Sequence, residues 1–209
     1  LNADGVDDFA FGAPSATPPP ASSTSSSTTT DLTSAGVVFV IWGKASSPAS
    51  YSSISSLPDL SFGLIITGSV ANQRIGWGVN GGCDLNNDGF DDLIIGSSTQ
   101  LVSVRAVFIV FGHHSSEWPS PIVSMSWIIN SNGKNGFIIT PSSTSSSDST
   151  QYFGFTTPRC VGDYNGDKFN DILFGDYQLN KAFLIYGRSG SSWPEIGQES
   201  SSTEVGVSY

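Results

Sequence analysis

Three stretches of the chain set oxygen-bearing side chains at alternate positions of a short loop: Leu1-Asn-Ala-Asp-Gly-Val-Asp-Asp8, Asp84-Leu-Asn-Asn-Asp-Gly-Phe-Asp-Asp92 and Asp163-Tyr-Asn-Gly-Asp-Lys-Phe-Asn-Asp171. Oxygens from alternate residues of a tightly curled loop converge on one point, and Ca²⁺ accepts six to eight of them in flexible geometry. With Asp84 as position 1, the side chains of Asp84, Asn86, Asp88 and Asp92 supply positions 1, 3, 5 and 9, and the Phe90 carbonyl supplies position 7. Asp163, Asn165, Asp167, Asp171 and the Phe169 carbonyl form the same set. The first loop offers Asn2, Asp4, Asp8 and the Val6 carbonyl; its position 1 would precede Leu1, so the chain is expected to begin inside a motif. Up to three structural Ca²⁺ ions are the expectation.

An EF-hand loop would open the same way but would continue to a bidentate Glu at position 12. That position is Phe11, Ile95 or Phe174 here, inside an apolar run, so the EF-hand reading fails. Mg²⁺ suits the loop less well, because it keeps several waters in a strict octahedron. Asp, Asn and Gly also favour turns without any metal; three runs with the same oxygen-bearing positions favour the cation. The third loop departs most, with Lys168 in place of glycine at position 6. If that position needs φ > 0, lysine costs roughly 1 kcal/mol there.

The elements that must hold these loops read as strands. After each loop comes a second apolar run ending in aromatic-Gly: Val37 to Gly43, Ala106 to Gly112 and Ala182 to Gly187. A third run recurs at Phe62 to Gly68 and Gly136 to Thr140, and a further one leads into the acidic loop at Ile75 to Val79 and Tyr152 to Phe155. Short, β-branched, aromatic segments bounded by turn residues predict buried strands. No stretch keeps apolar residues at a helical period, and Gly, Pro and Ser punctuate every run. Units 84 and 79 residues apart, measured at Asp4, Asp88 and Asp167, suit a four-stranded propeller blade with insertions.

These residues resemble the FG-GAP repeats of integrin α-subunit β-propellers. Phe11-Gly12-Ala13-Pro14 spells the Gly-Ala-Pro half, while Phe153-Gly154 and Gly76-Trp77-Gly78 stand where the leading Phe-Gly is expected. The resemblance implies an all-β fold of four-stranded antiparallel blades, usually seven in a ring, with the calcium loop joining a blade's first two strands. Ser97 and Asp176 depart from the usual alanine after glycine. About two and two-thirds blades are expected: 1–68 lacking its first strand and carrying a Ser/Thr/Pro-rich insert at 15–34, a complete unit at 74–140, and an incomplete one at 151–209. That number cannot close a ring, so the segment would belong to a larger propeller or complete itself with other chains.

With 12% charged residues and a net charge of −10, the acidity is concentrated in the loops, and three bound Ca²⁺ would bring the net to about −4. Eight scattered Lys and Arg give no footprint for nucleic acid. No apolar run is long enough to span a membrane. The Ser/Thr tracts at 22–30 and 142–150 have the composition of O-glycosylated surface segments, and equally of plain linkers. No Asn-x-Ser/Thr sequon occurs. Cys83 and Cys160 end the leading strands of neighbouring units; a disulfide and two buried thiols are both open.

His113-His114 reads as a pair of surface-loop histidines, since adjacent strand residues point to opposite faces. Trp118-Pro119 and Trp193-Pro194 match in position and read as a repeated packing element. No nucleophile elbow, phosphate loop or catalytic cysteine is present, so no enzyme is expected. The resemblance implies a calcium-stabilised extracellular or cell-surface module for adhesion or surface assembly, with protein partners or further copies of the chain. Alternatives are a structural subunit of a glycosylated filament or appendage, with exposed strand edges paired between chains, a carbohydrate-binding propeller, and an accessory domain beside a separate enzyme.

Overall fold

Each acidic loop hands over to a β-branched or aromatic run, and each run is a strand. The structure, a computed structural model, describes residues 1–19, 31–44, 62–98, 106–140, 158–176, 181–189 and 203–205. Its elements are β1 (Phe9–Ala13), β2 (Val37–Ile41), β3 (Gly63–Thr67), β4 (Ile75–Cys83), β5 (Asp92–Ser97), β6 (Val107–Val110), β7 (Ile122–Ser124), α1 (Met125–Ile129), β8 (Gly136–Ile139), β9 (Arg159–Gly162), β10 (Asp171–Asp176), β11 (Lys181–Ile185) and β12 (Thr203–Val205). The described residues are all-β, in three four-stranded sheets ordered β1-β2-β3-β7, β4-β5-β6-β8 and β9-β10-β11-β12.

The second and third sheets are antiparallel throughout. The first departs from the expected antiparallel pattern at one position. β7 lies within the 74–140 segment but runs parallel to β3, with Ile65 opposite Ile122 and Thr67 opposite Ser124. The first sheet holds β1, β2 and β3, with β7 covering the outer edge of β3. Covering an edge removes a row of unpaired amides.

The helix α1 was not visible as a period because it is five residues long, little more than one turn. Local chemistry starts it: the Ser124 side chain accepts a hydrogen bond from the Ser126 amide, an N-cap. Met125 and Ile128 are its buried residues. The run expected at 152–155 lies outside the described residues, as do most of the 15–34 insert, the tracts 22–30 and 142–150, and Trp193-Pro194. The strand that precedes the third loop in the structure is β9.

Alternation along the strands stacks the sheets. One face of the first sheet (Val38, Val40, Leu64, Ile66) packs on Leu93, Ile95, Phe108 and Val110 of the second. The opposite face of the second (Ile94, Val107, Ile109, Phe111) packs on Ile172, Phe174, Phe183 and Ile185 of the third. A run buried on both faces reads as continuous apolar sequence, the pattern of Leu93-Ile-Ile95 and Val107-Phe-Ile-Val-Phe111.

Candidate metal centres

The three loops share one hydrogen-bond skeleton. At position 9 each aspartate is withdrawn from solvent, with Asp92 and Asp171 fully buried and the Asp8 side chain 6% exposed. One oxygen accepts from the main-chain nitrogen at position 2: Leu1 to Asp8 (2.9 Å), Leu85 to Asp92 (2.8 Å) and Tyr164 to Asp171 (2.9 Å). The other accepts from the glycine that ends the aromatic-Gly run: Gly43 (2.9 Å), Gly112 (3.0 Å) and Gly187 (2.9 Å). Position 9 is therefore a strap that ties the start of the loop to the far end of the neighbouring strand. The glycine is needed there for space, since a Cβ on Gly112 would sit 2.4 Å from the Asp91 carbonyl oxygen. Sequence reading assigned Asp8, Asp92 and Asp171 as ligands and missed this second role; the recurrence of aromatic-Gly in all three units was the available signal.

Positions 1, 3 and 5 turn inward. Asp84 Oδ1 and Asn86 Oδ1 both accept from the Asp88 amide (3.1 and 3.2 Å), and Asp88 Oδ1 accepts from the Phe90 amide (2.9 Å). In the third loop Asp163 Oδ1 and Asn165 Oδ1 meet on the Asp167 amide (both 3.0 Å), and Asp167 Oδ1 accepts from Phe169 (2.9 Å). The first loop repeats the part its sequence allows, with Asn2 Oδ1 accepting from Asp4 (3.1 Å) and Asp4 Oδ1 from Val6 (2.9 Å). The curl uses left-handed residues at positions 4 and 6: Ala3 and Gly5, Asn87 and Gly89, Gly166 and Lys168. Lys168 does sit at positive φ, 78°.

The donor set is of the hard-cation kind: carboxylate, amide and carbonyl oxygens, with neither sulfur nor imidazole. An oxygen that accepts one amide hydrogen retains a second lone pair, so the skeleton leaves these groups able to ligate. Among the described residues no three His, Cys, Asp or Glu side chains gather into a metal-type cluster; the loops instead combine aspartates with asparagine and main-chain oxygens. Their charges do interact. Burial pushes the Asp92 carboxyl up to about 8, against the Gly112 and Leu85 amides that pull it down, and the charges of Asp88 and Asp84 add to the rise. A divalent cation in the loop would relieve that repulsion.

Between the first and second loops lies a cleft of about 710 Å³, whose lining includes Asp7, Asp8, Asp84, Asp91 and Asp92. Asp7 and Asp91 occupy position 8, outside the assigned ligand sets. Upstream of the second and third loops the leading strands are joined covalently: Cys83 and Cys160 form a disulfide with 5.7 Å between Cα atoms. Of the two readings left open for this pair, the bridge is the one observed.

His113 departs from its expected place, whereas Trp118 packs between sheets, in keeping with its reading as a packing element. His113 is half-buried against two indoles, with ring centroids 5.2 Å from Trp118 and 5.9 Å from Trp127. Burial holds its imidazole below the ordinary histidine range. Trp118 is buried in the core between the first two sheets, and both Trp118 Nε1 and His113 Nε2 lack a hydrogen-bond partner. Only His114 keeps the expected surface place. The aromatic cluster gathers residues from within a span of fourteen positions, His113 to Trp127, with no period to announce it.

No family model matches the chain. It is similar to integrin alpha-5 of Xenopus laevis, 27% identical over 191 residues, which is 90% of this chain and 15% of that protein. The chain thus spans a small fraction of the length of the curated relative it matches.

Proposed function

We propose that the chain is a calcium-stabilised, non-enzymatic extracellular module in which 1–68, 74–140 and 151–209 are blades of a larger β-propeller, serving adhesion or surface assembly. The observation that carries the reading is the threefold recurrence of the position-9 strap with inward oxygens at positions 3 and 5. Asn2, Asp4, Asp8 and the Val6 carbonyl would hold the first ion. Asp84, Asn86, Asp88, Asp92 and the Phe90 carbonyl would hold the second, and Asp163, Asn165, Asp167, Asp171 and the Phe169 carbonyl the third. Calcium would supply charge neutralisation and cross-linking of the loop, while the chain's own residues set its curl.

The similarity to integrin alpha-5 supports an adhesion role, and the Cys83–Cys160 bridge fits an oxidising, extracellular compartment. No helix among the described residues is long and apolar enough to cross a membrane. O-linked glycans on 22–30 and 142–150 belong to the same reading, and added sugar mass on peptides from those two tracts would reveal them.

The test is thermal unfolding with and without chelator, alongside metal content. A ligand that binds only the folded state stabilises it by RT ln(1 + [L]/Kd), about 2.7 kcal/mol at a hundredfold excess over Kd. Calcium should raise the melting temperature and co-purify at more than one ion per chain. A melting curve indifferent to chelation removes the calcium reading.

A further inference from the structure

Asparagine followed directly by glycine occurs at Asn80-Gly81, Asn132-Gly133, Asn135-Gly136 and Asn165-Gly166. Such a pair is chemically labile. With no Cβ on the second residue, its main-chain nitrogen can reach the side-chain amide carbon of the first. That attack forms a C–N bond, expels ammonia and closes a five-membered succinimide; water then opens the ring at either carbonyl, leaving aspartate or isoaspartate. The reaction consumes only water, and it needs a side chain free to rotate and a glycine amide free to attack.

Three of these pairs are tied down. Asn80 lies in β4 opposite Ile94, and its Oδ1 accepts from the Cys160 amide of the next sheet (3.3 Å). Asn135 donates its main-chain amide to Ser131 Oγ (3.0 Å) and its side chain to the Trp127 carbonyl (3.5 Å), while its carbonyl accepts from Phe111 (3.0 Å). Gly136 beside it is buried at the start of β8. Asn165 is gripped twice by Asp167, accepting from its amide (3.0 Å) and donating to its carboxylate (2.9 Å). The Gly166 amide is engaged as well, donating to Asp163 Oδ1 at 2.7 Å.

Asn132 differs on each count. It is exposed, in the turn between α1 and β8, and neither its side chain nor the Gly133 amide has a hydrogen-bond partner among the described residues. One bond closes the turn, from the Lys134 amide to the Ser131 carbonyl (3.2 Å). Asn132 and Gly133 stand at φ of 53° and 77°, the two positive angles of a type I′ turn, whose backbone selects Asn-Gly. The conformation that calls for this dipeptide thus sets the labile pair where nothing restrains it.

We propose that Asn132 is the chain's preferred site of spontaneous deamidation, a surface turn that converts with time to aspartate and isoaspartate. Each event adds one negative charge two residues from Lys134. Isoaspartate also inserts a methylene into the main chain, so the turn that joins α1 to β8 loses its I′ geometry, whereas aspartate keeps it. The site shares no residue with the acidic loops and stands whether or not they hold calcium.

Peptide mapping of native protein aged at neutral pH tests it, with an unaged sample subtracting conversion during digestion. Cleavage after Lys and Arg puts the labile pairs in separate peptides, 75–105, 106–134, 135–159 and 160–168, once the Cys83–Cys160 bridge is reduced. Peptide 106–134 should gain the deamidation mass, and split into aspartate and isoaspartate forms, at least about tenfold faster than any of the others. In urea at the same pH, where no side chain is held, all of them should convert at comparable rates. Asn132→Gln, an exchange of one exposed amide for another that cannot close the five-membered ring, should remove the acidic species that accumulates in aged wild type. A native rate at Asn132 no faster than at Asn80, Asn135 or Asn165 overturns the assignment, as does an acidic species that accumulates unchanged in Asn132→Gln. The same selectivity in urea would place the preference in the neighbouring sequence and overturn the role given to the fold.

Discussion

Loop 163–171 repeats loop 84–92 almost bond for bond. Asp163 serves the amides of Asp167 and Lys168 as Asp84 serves those of Asp88 and Gly89, and Asp171 straps Tyr164 to Gly187 as Asp92 straps Leu85 to Gly112. Their surroundings differ. Leu85 is 1% exposed beneath the third unit, which donates two amides to its loop, whereas Tyr164 is 71% exposed. The skeleton of each loop is therefore local, written in the spacing of Asp, Asn and Gly, while its burial is lent by the unit that follows. Perturbations that act through the roof should separate the two loops, and perturbations that act through the skeleton should not.

The largest separation should come from the disulfide. Cys83 and Cys160 are 77 residues apart and staple the second sheet to the third; in the chain-entropy picture a closed loop of that size is worth about 4 kcal/mol. The Cys83→Ser/Cys160→Ser double variant should lose about that much in denaturant unfolding. Hydrogen exchange should rise at Leu85, which loses its roof, and stay unchanged at Tyr164, which has none among the described residues. Equal protection loss in both loops would mean that the third unit does not shield the second.

Next in size is the strap. Asp92→Ala leaves the amides of Leu85 and Gly112 without partners inside the protein, and an unsatisfied buried donor costs about 1–3 kcal/mol. A loss of about 3 kcal/mol is expected by urea unfolding in calcium. Asp171→Ala removes the same two bonds, but the Tyr164 amide lies at an exposed residue where water replaces the carboxylate. About half the loss is expected there. Equal losses would place the energetics in the skeleton alone.

The difference between skeleton and roof is also the difference between what was legible in the sequence and what was not. The spacing of Asp84, Asn86, Asp88 and Asp92 located the loop, and the apolar runs around Ile94, Phe108 and Phe137 located strands, because both signals are local and periodic. The all-β class followed from the same grammar. The parallel seat of Ile122–Ser124 on the first sheet was hidden, since three residues carry no period and their partner lies more than fifty positions away. His113 was misplaced for a related reason: its burial depends on Trp118 and Trp127, and nothing in the dipeptide His113-His114 reports their approach. The pairing of Cys83 with Cys160 needed the distance between neighbouring sheets, which spacing along the chain does not contain.

Acid should act oppositely on the free and the loaded second loop. Asp92 is held near 8 by burial against an ordinary 3.8, so the folded state binds more protons than the unfolded one between those values. Stability then falls as pH rises through that window. Chelated protein should accordingly melt several degrees higher at pH 5.5 than at pH 8. Calcium competes with the proton for the same carboxylate, so calcium-loaded protein should melt lower at the acid pH. Asp92→Asn should flatten the chelated profile. An unaltered profile in that variant would assign the pH dependence to another group.

The smallest effect concerns the one position where the skeletons themselves differ. Gly89 and Lys168 share position 6 at φ of 92° and 78°, a region that costs a side chain with a Cβ roughly 1 kcal/mol. The third loop eases the curl at position 4 instead, where it has Gly166 and the second has Asn87. A Cβ at Gly89 would meet nothing within 4 Å, so conformation and not crowding sets the penalty. Lys168→Gly should therefore stabilise by up to about 1 kcal/mol, less the entropy that glycine returns to the unfolded chain, and Gly89→Lys should destabilise by a similar amount. Because neither change touches an assigned ligand, both variants should retain their calcium stoichiometry. A lost ion in Gly89→Lys would show that the curl of the second loop, and not only its oxygens, selects the cation.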